Sequence, residues 1–214
     1  MLAVSVPTLA AFALVALGMV LTPGPNMIYL LSRAILQGRA AGLISLLGVL
    51  LGFVAYMLAA AFGLTALLIA VPFAYETLLW AGAAYLLWLA WNAVRPGARS
   101  VLQPRRDLAV DGSGKLFVMG LLTNLLNPKI AVLYLSLLPQ FIDPARGQVL
   151  LQGVTLGLTQ IAISFTVNAL IVLAAGSISA WFATRPSWLK AQRWLMAGIL
   201  AGLAVRLAME KRAA

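Results

Sequence analysis

From Ala40 to Ala70 the chain carries no charged residue. As helix that stretch is about 46 Å long at roughly 1.5 Å per residue. The hydrocarbon core of a bilayer is only about 30 Å thick. In lipid, backbone groups can be satisfied only inside a helix or a closed barrel, and barrel strands are roughly 9–11 residues long. A run this long is therefore a helix that crosses the bilayer and tilts, kinks or protrudes. The whole sequence has the same character, at 63% hydrophobic and 9% charged over 214 residues, where a soluble domain is nearer half apolar and about a quarter charged.

Five further apolar segments read as spans: about Pro7 to Leu36, Phe73 to Val94, Lys115 to Asp143, Val149 to Ser177, and Trp188 to Leu207. The N-terminal stretch lacks a basic n-region, so it is expected to be the first span and not a cleaved signal. The fold class is thus an all-α polytopic membrane protein of about six transmembrane helices. Small residues at helical spacing, Gly48, Gly52, Ala55 and Ala59 in the second segment, predict a face for close helix packing. Gly153 with Gly157 and Gly198 with Gly202 predict the same. Trp88 and Trp91 before Arg95, and Trp181, Trp188 and Trp194 around the sixth segment, read as interfacial belts.

Two segments are interrupted. The first breaks at Thr22-Pro23-Gly24-Pro25-Asn26, where two prolines and a glycine cannot continue a helix. Gly24 suits a cap and Pro25 the first position of a new half-helix reaching Arg33. The fourth breaks at Asn124 to Lys129. There Pro128 lacks an N–H and clashes with the carbonyl of Asn124, and Asn127-Pro128 reads as N-cap and first position of another half-helix. The two breaks precede similar stretches, PNMIYLLS and PKIAVLYLS. Each half of the chain holds three segments, an odd number, so the second repeat is inverted relative to the first. Paired interruptions in inverted halves point to a transporter binding site. The expected organisation is one transporter domain over 1–214, with repeat one at 1–94, a cytoplasmic linker at 95–115 and repeat two at 116–214.

Lys129 lies 14 residues from both Lys115 and Asp143, too deep for its side chain to reach water from a core about 15 Å in half-thickness. An intramembrane cation is costly and marks a functional site by default. With the partial positive charge of a half-helix N-terminus it would hold an anionic group such as a carboxylate. The alternative is a kinked helix whose lysine lines a watery crevice and binds nothing. Around it, Asn26, Asn124 and Asn168 are candidates for a substrate amino group, and Asn168 serves equally as a helix–helix bond. Glu76 is the acidic residue inside an apolar segment, either interfacial or a proton carrier.

The residue inventory excludes several chemistries. There is no Cys, hence no thiol redox or thiolate metal site, and no His, the commonest transition-metal ligand and general base. No cofactor, no metal and no nucleic-acid partner are expected, and an enzyme is not. The net charge of +10 is a topology signal. Ten basic residues fall in connections one, three and five and four on the other side, which puts the odd connections in the cytoplasm and both termini outside. The basic tail fits a topology with one re-entrant segment instead.

The Thr22–Asn26 sequence TPGPN, Gly48 with Gly52, GAAYLLWLAW at 82–91, and Asn127-Pro128-Lys129 together resemble the LysE/RhtB family of bacterial amino-acid exporters, over nearly the whole chain. The resemblance implies amino-acid efflux driven by the proton motive force, a bacterial inner-membrane location and a homodimer. The residues themselves give the candidate substrate-binding set, Thr22, Gly24, Pro25, Asn26, Asn124, Asn127, Pro128 and Lys129, with Glu76 and Asn168 as coupling or pocket residues. The residues themselves add a bias. No carboxylate lies at mid-depth to meet a cationic substrate, so a neutral amino acid is expected, small and polar like homoserine or threonine, or aliphatic. The competing readings are a transporter of another small solute or ion on a related fold, and a non-transporting scaffold.

Overall fold

The computed structural model describes residues 3–22, 24–70, 72–96, 110–175, 177 and 186–209. These build eight α-helices: α1 (Val6–Leu21), α2 (Pro25–Gln37), α3 (Arg39–Ala70), α4 (Pro72–Val94), α5 (Ser113–Leu125), α6 (Pro128–Val132), α7 (Val149–Leu173) and α8 (Pro186–Met209). Proline marks many of the starts. Pro25, Pro72, Pro128 and Pro186 each open a helix, where a missing N–H costs nothing. Ser5 caps α1, its hydroxyl accepting from Thr8 N at 3.3 Å.

The chain is an all-α polytopic membrane protein. The α3 stretch Arg39–Gly63 and α7 are each long and apolar enough to cross a bilayer. Two further crossings arise if each bent pair is one span, α1 with α2 at 55° and α5 with Lys129–Phe141 at 53°. The α4 and α8 helices, 23 and 24 residues long, pack on each other. Large apolar side chains cover the outside, Leu14, Phe62, Trp80, Trp91 and Trp194 among them, as a surface facing lipid requires.

The centre is α3, which packs on α5, α7 and α2. Between α3 and α5 the fit is backbone on backbone. A Cβ on Gly48 would run into the Phe117 carbonyl, and one on Gly120 into the Ser45 carbonyl. Lipid-facing helices gain little from the hydrophobic effect, so such close dispersion contact is what holds them. The predicted stripe is only half used, because Ala55 and Ala59 are exposed. Tyr56 takes over at that level, its hydroxyl donating to Leu125 O at 2.8 Å. On the other side, Gly157 admits Met57 of α3, and a Cβ on Gly153 would touch Ala61.

The second half of the broken fourth segment is not one regular helix. After five α-helical residues it becomes a π turn, Leu133–Leu137, and then a 3-10 turn, Leu138–Phe141. Pro139 explains the change, since it cannot donate to the carbonyl four residues back and its ring crowds that carbonyl. A third short turn, Pro144–Arg146, leads into α7. Gln152 of α7 pins this loop, donating to Asp143 O and Gly147 O and accepting from Asp143 N.

Candidate functional site

The two interruptions meet. Asn127 Nδ2 donates to Asn26 Oδ1 at 3.1 Å, and both side chains are buried. Asn127 also caps α6, its Oδ1 accepting from Lys129 N at 3.1 Å. That fixes the short α6 helix and spends its free N-terminal donor internally. Across the junction α2 is different. Its N-cap is Gly24, which has no side chain to offer. The first-turn N–H groups of α2, on Asn26 and Met27, therefore lack an intrahelical partner.

Lys129 is 5% exposed, and its ammonium crosses to the other broken span. Nζ donates to Met19 O at 3.0 Å and Thr22 O at 2.6 Å, at the C-terminal end of α1. This is the end of a helix that carries partial negative charge and free carbonyls. An ammonium has three N–H donors, so among the described residues one remains. Gly24 makes room for it. A Cβ there would lie 3.0 Å from Nζ and 3.2 Å from Cε, although its backbone is extended and any residue could adopt it.

Beside the ammonium lies a cavity of about 20 Å³, lined by Lys129, Asn26, Met27, Phe53, Gln160 and Asn168 among others. That space suits about one water molecule. An amino acid is larger, so it could enter only when the walls part.

The remaining sequence candidates are distributed as follows. Thr22 ends α1, its hydroxyl donating to Gly18 O at 2.8 Å. Pro25 and Pro128 open α2 and α6. Asn168 lines the cavity and donates to Ser164 O at 2.8 Å. Asn124 is fully buried but faces Gly52 of α3, away from the cavity lining, and neither amide atom has a partner. The Glu76 side chain, the Pro23 position and most of the 95–115 linker lie outside the described residues.

Two groups carry polar chemistry that the sequence reading did not single out. Gln160 and Ser164 join Asn168 on the cavity wall. Their spacing of four residues was visible, and it sets all three on one helix face. The second group is an ion pair. Arg33, one of the ten basic residues assigned above to the odd connections, is 3% exposed and meets Asp111 with Nη2–Oδ2 at 2.6 Å. Lys115 Nζ is 2.6 Å from the other Asp111 oxygen, and Gln37 Nε2 donates to Asp111 O at 2.9 Å. The C-terminal end of α2 is thereby fastened to the loop before α5. The Lys115 hydrogen bond and, after it, the charges of Arg33 and Lys115 hold the Asp111 carboxyl below its ordinary range.

The LysE type translocator family matches residues 17–211. The chain belongs to that family. Among relatives of this LysE-type chain is a homoserine/homoserine lactone efflux protein of Salmonella typhimurium, 32% identical over 80% of this chain and 82% of that protein. A leucine efflux protein of Klebsiella pneumoniae is 29% identical over 90% of this chain and 91% of its own length. An uncharacterized membrane protein of Pseudomonas aeruginosa is 29% identical over 88% and 89%. No solved structure matches the LysE-type chain.

Proposed function

We propose that this protein exports neutral amino acids, polar or aliphatic, from the cytoplasm across a bacterial inner membrane, driven by the proton motive force. The observation that carries the reading is the meeting of Lys129 and Asn26, from two broken spans, at one cavity. Relatives named for efflux of homoserine and of leucine support the substrate class. In this reading the two halves, 1–94 and 116–214, are inverted repeats rocking about the junction, as paired broken helices do in other transporters. The chain works as a homodimer of such units.

The substrate carboxylate takes the third N–H of Lys129 and first-turn N–H groups of α2. Asn26 meets the substrate's amino group. A cationic substrate fits less well, because among the described residues the cavity lining contains no carboxylate. Proton coupling rests on Glu76, on Lys129 or on the substrate's own charge.

The test is uptake of a panel of labelled amino acids into everted membrane vesicles, for wild type beside Lys129→Ala. The expected result is uptake of neutral amino acids that collapses in the variant and on adding a protonophore. Uptake of lysine or arginine alone, or a variant that transports like wild type, would overturn the reading.

A further inference from the structure

The α2 helix begins at the cavity, where Asn26 and Met27 of its first turn are part of the lining. Its later turns carry a polar stripe, Tyr29, Arg33 and Gln37, spaced four residues apart and so on one face. Every member of the stripe is bonded to α5 or to the residues just before it. The Tyr29 hydroxyl donates to Leu116 O at 2.9 Å, Arg33 pairs with the Asp111 carboxylate, and Gln37 Nε2 donates to Asp111 O. The stripe is also tied along itself. Arg33 Nη1 donates to Gln37 Oε1 at 2.9 Å, and its guanidinium lies 5.6 Å from the centre of the Tyr29 ring.

This contact is unlike the contact of α5 with α3. There Gly48 and Gly120 bring backbone against backbone, and separation would forfeit the close fit that holds lipid-embedded helices. Side-chain hydrogen bonds and ion pairs instead exchange for water at small net cost, where water is at hand. Water is at hand here. Lys115, on the same carboxylate, is 65% exposed, and an exposed ammonium belongs in water. On the far side of the cavity the closure is buried. Phe12 of α1 packs edge-to-face on Phe141 at 5.2 Å, and the Tyr134 hydroxyl donates to Gln160 Oε1 at 2.6 Å. The ends of α2 suit a moving part as well. It starts at Gly24, which has no side-chain cap, and stops at Gly38, whose φ of 89° favours glycine. Hinges are a few such positions at the ends of elements.

We infer that α2 is the gate on this side of the cavity, and that Tyr29, Arg33 and Gln37 with Asp111 are its latch. The bias of basic residues puts this side in the cytoplasm, so the latch opens to admit substrate and recloses before release. This rests on the proposed export reading and names the part that moves. Arg33 and Asp111 are positioning residues, since neither lines the cavity. Removing one partner leaves the other charge buried and uncompensated, which favours the state in which it reaches water.

The first experiment needs no substrate. The chain has no cysteine, so Met27→Cys puts a sole thiol on the cavity lining. Its rate of modification by membrane-impermeant sulfonatoethyl methanethiosulfonate is measured in everted vesicles, cytoplasmic face out, and in right-side-out vesicles. Asp111→Asn in that background should speed modification about tenfold in everted vesicles, the room available if the open state is populated to roughly a tenth or less. The right-side-out rate should not change. Arg33→Gln supplies the same comparison if Asp111→Asn fails to reach the membrane. A second experiment keeps Arg33, Asp111 and Lys115. Gln37→Cys with Gly112→Cys, where a Cβ meets nothing within 4 Å, places one thiol on each side of the latch. A short bis-methanethiosulfonate that joins them should abolish homoserine uptake until a reductant restores it, while each single variant keeps its uptake after the same treatment.

Faster modification from both faces, or from the right-side-out face alone, overturns the inference; the first marks a brace whose loss loosens the whole packing. So does an unchanged rate in everted vesicles, or a cross-linked protein that still transports. In each case Lys129-dependent uptake of neutral amino acids would leave the export reading standing. A gate that opens as expected in a protein that moves no neutral amino acid would sink the export reading alone.

Discussion

Asn26 and Asn127 lie 101 residues apart in sequence and share a hydrogen bond of 3.1 Å, Nδ2 of the second donating to Oδ1 of the first. Each belongs to a helix interruption, and the bond is where the two broken spans touch. Asn127 does a second task with its other amide atom, capping α6. One side chain therefore sets both the start of a helix and its junction with the opposite half.

Asn127→Ala is expected to cost more than an ordinary cap. Loss of the cap alone costs about 1 kcal/mol, and an interhelical hydrogen bond in a membrane protein averages about 0.6 kcal/mol. Thermal unfolding of the detergent-solubilised protein should show both losses together. Asn127→Ser, which keeps a capping oxygen but is too short to reach Asn26, should recover only the first part. Equal stabilities for the two variants would contradict the double role.

The α3 stripe separates two outcomes at neighbouring turns. Gly48→Ala puts a methyl group against the Phe117 carbonyl, part of a backbone that cannot move alone. Overpacking of this kind costs on the order of 1–3 kcal/mol. Ala55→Leu lies on an exposed face and should leave the melting temperature within a degree or two of wild type, on the order of the small effects of surface changes. Comparable losses in both would mean that α3 turns a different face to α5.

The acid limb of stability should report Asp111. Its carboxyl is held below the ordinary range, first by the hydrogen bond from Lys115 and then by the charges of Arg33 and Lys115. A depressed native pKa contributes stability at pH values above the unfolded pKa, about 4. The contribution is lost as pH falls through the lower native value. Melting temperature in detergent should therefore fall for wild type below about pH 4, while Asp111→Asn starts lower and changes less over that window. Parallel curves would show that the ion pair adds nothing. Because Lys115 is 65% exposed, the effect should shrink with added salt.

The sequence made the breaks legible because proline and glycine act locally. Pro25 and Pro128 open helices wherever the rest of the chain goes, and Ala40 to Ala70 has no other way to exist in lipid. That Lys129 would be buried was legible by counting residues. What it touches was not, since its partners are the backbone carbonyls of Met19 and Thr22, which no side-chain motif announces. The π turn at Leu133–Leu137 carried a signal in Pro139, but its consequence, the aim of Tyr134 at Gln160, depends on how α7 packs. Arg33 misled by composition. It looked like a loop charge next to Arg39, and only the return of the chain at Asp111 buries it. The stripe from Gly48 to Ala59 failed at Ala55 because helix α5 ends at Leu125 and the contact ends with it.

The central claim is that a cation at residue 129 holds the substrate at the junction of the two broken spans. The chain contains no cysteine, so Lys129→Cys introduces the sole thiol. Aminoethyl methanethiosulfonate converts that thiol into a side chain ending in an ammonium of near-lysine reach, and methyl methanethiosulfonate converts it into a neutral one. The measurement is homoserine uptake by Lys129→Cys vesicles before and after each reagent. The expected result is little uptake initially, recovery with the aminoethyl reagent and none with the methyl reagent. Wild-type uptake by the untreated variant, or equal recovery with both reagents, would contradict it.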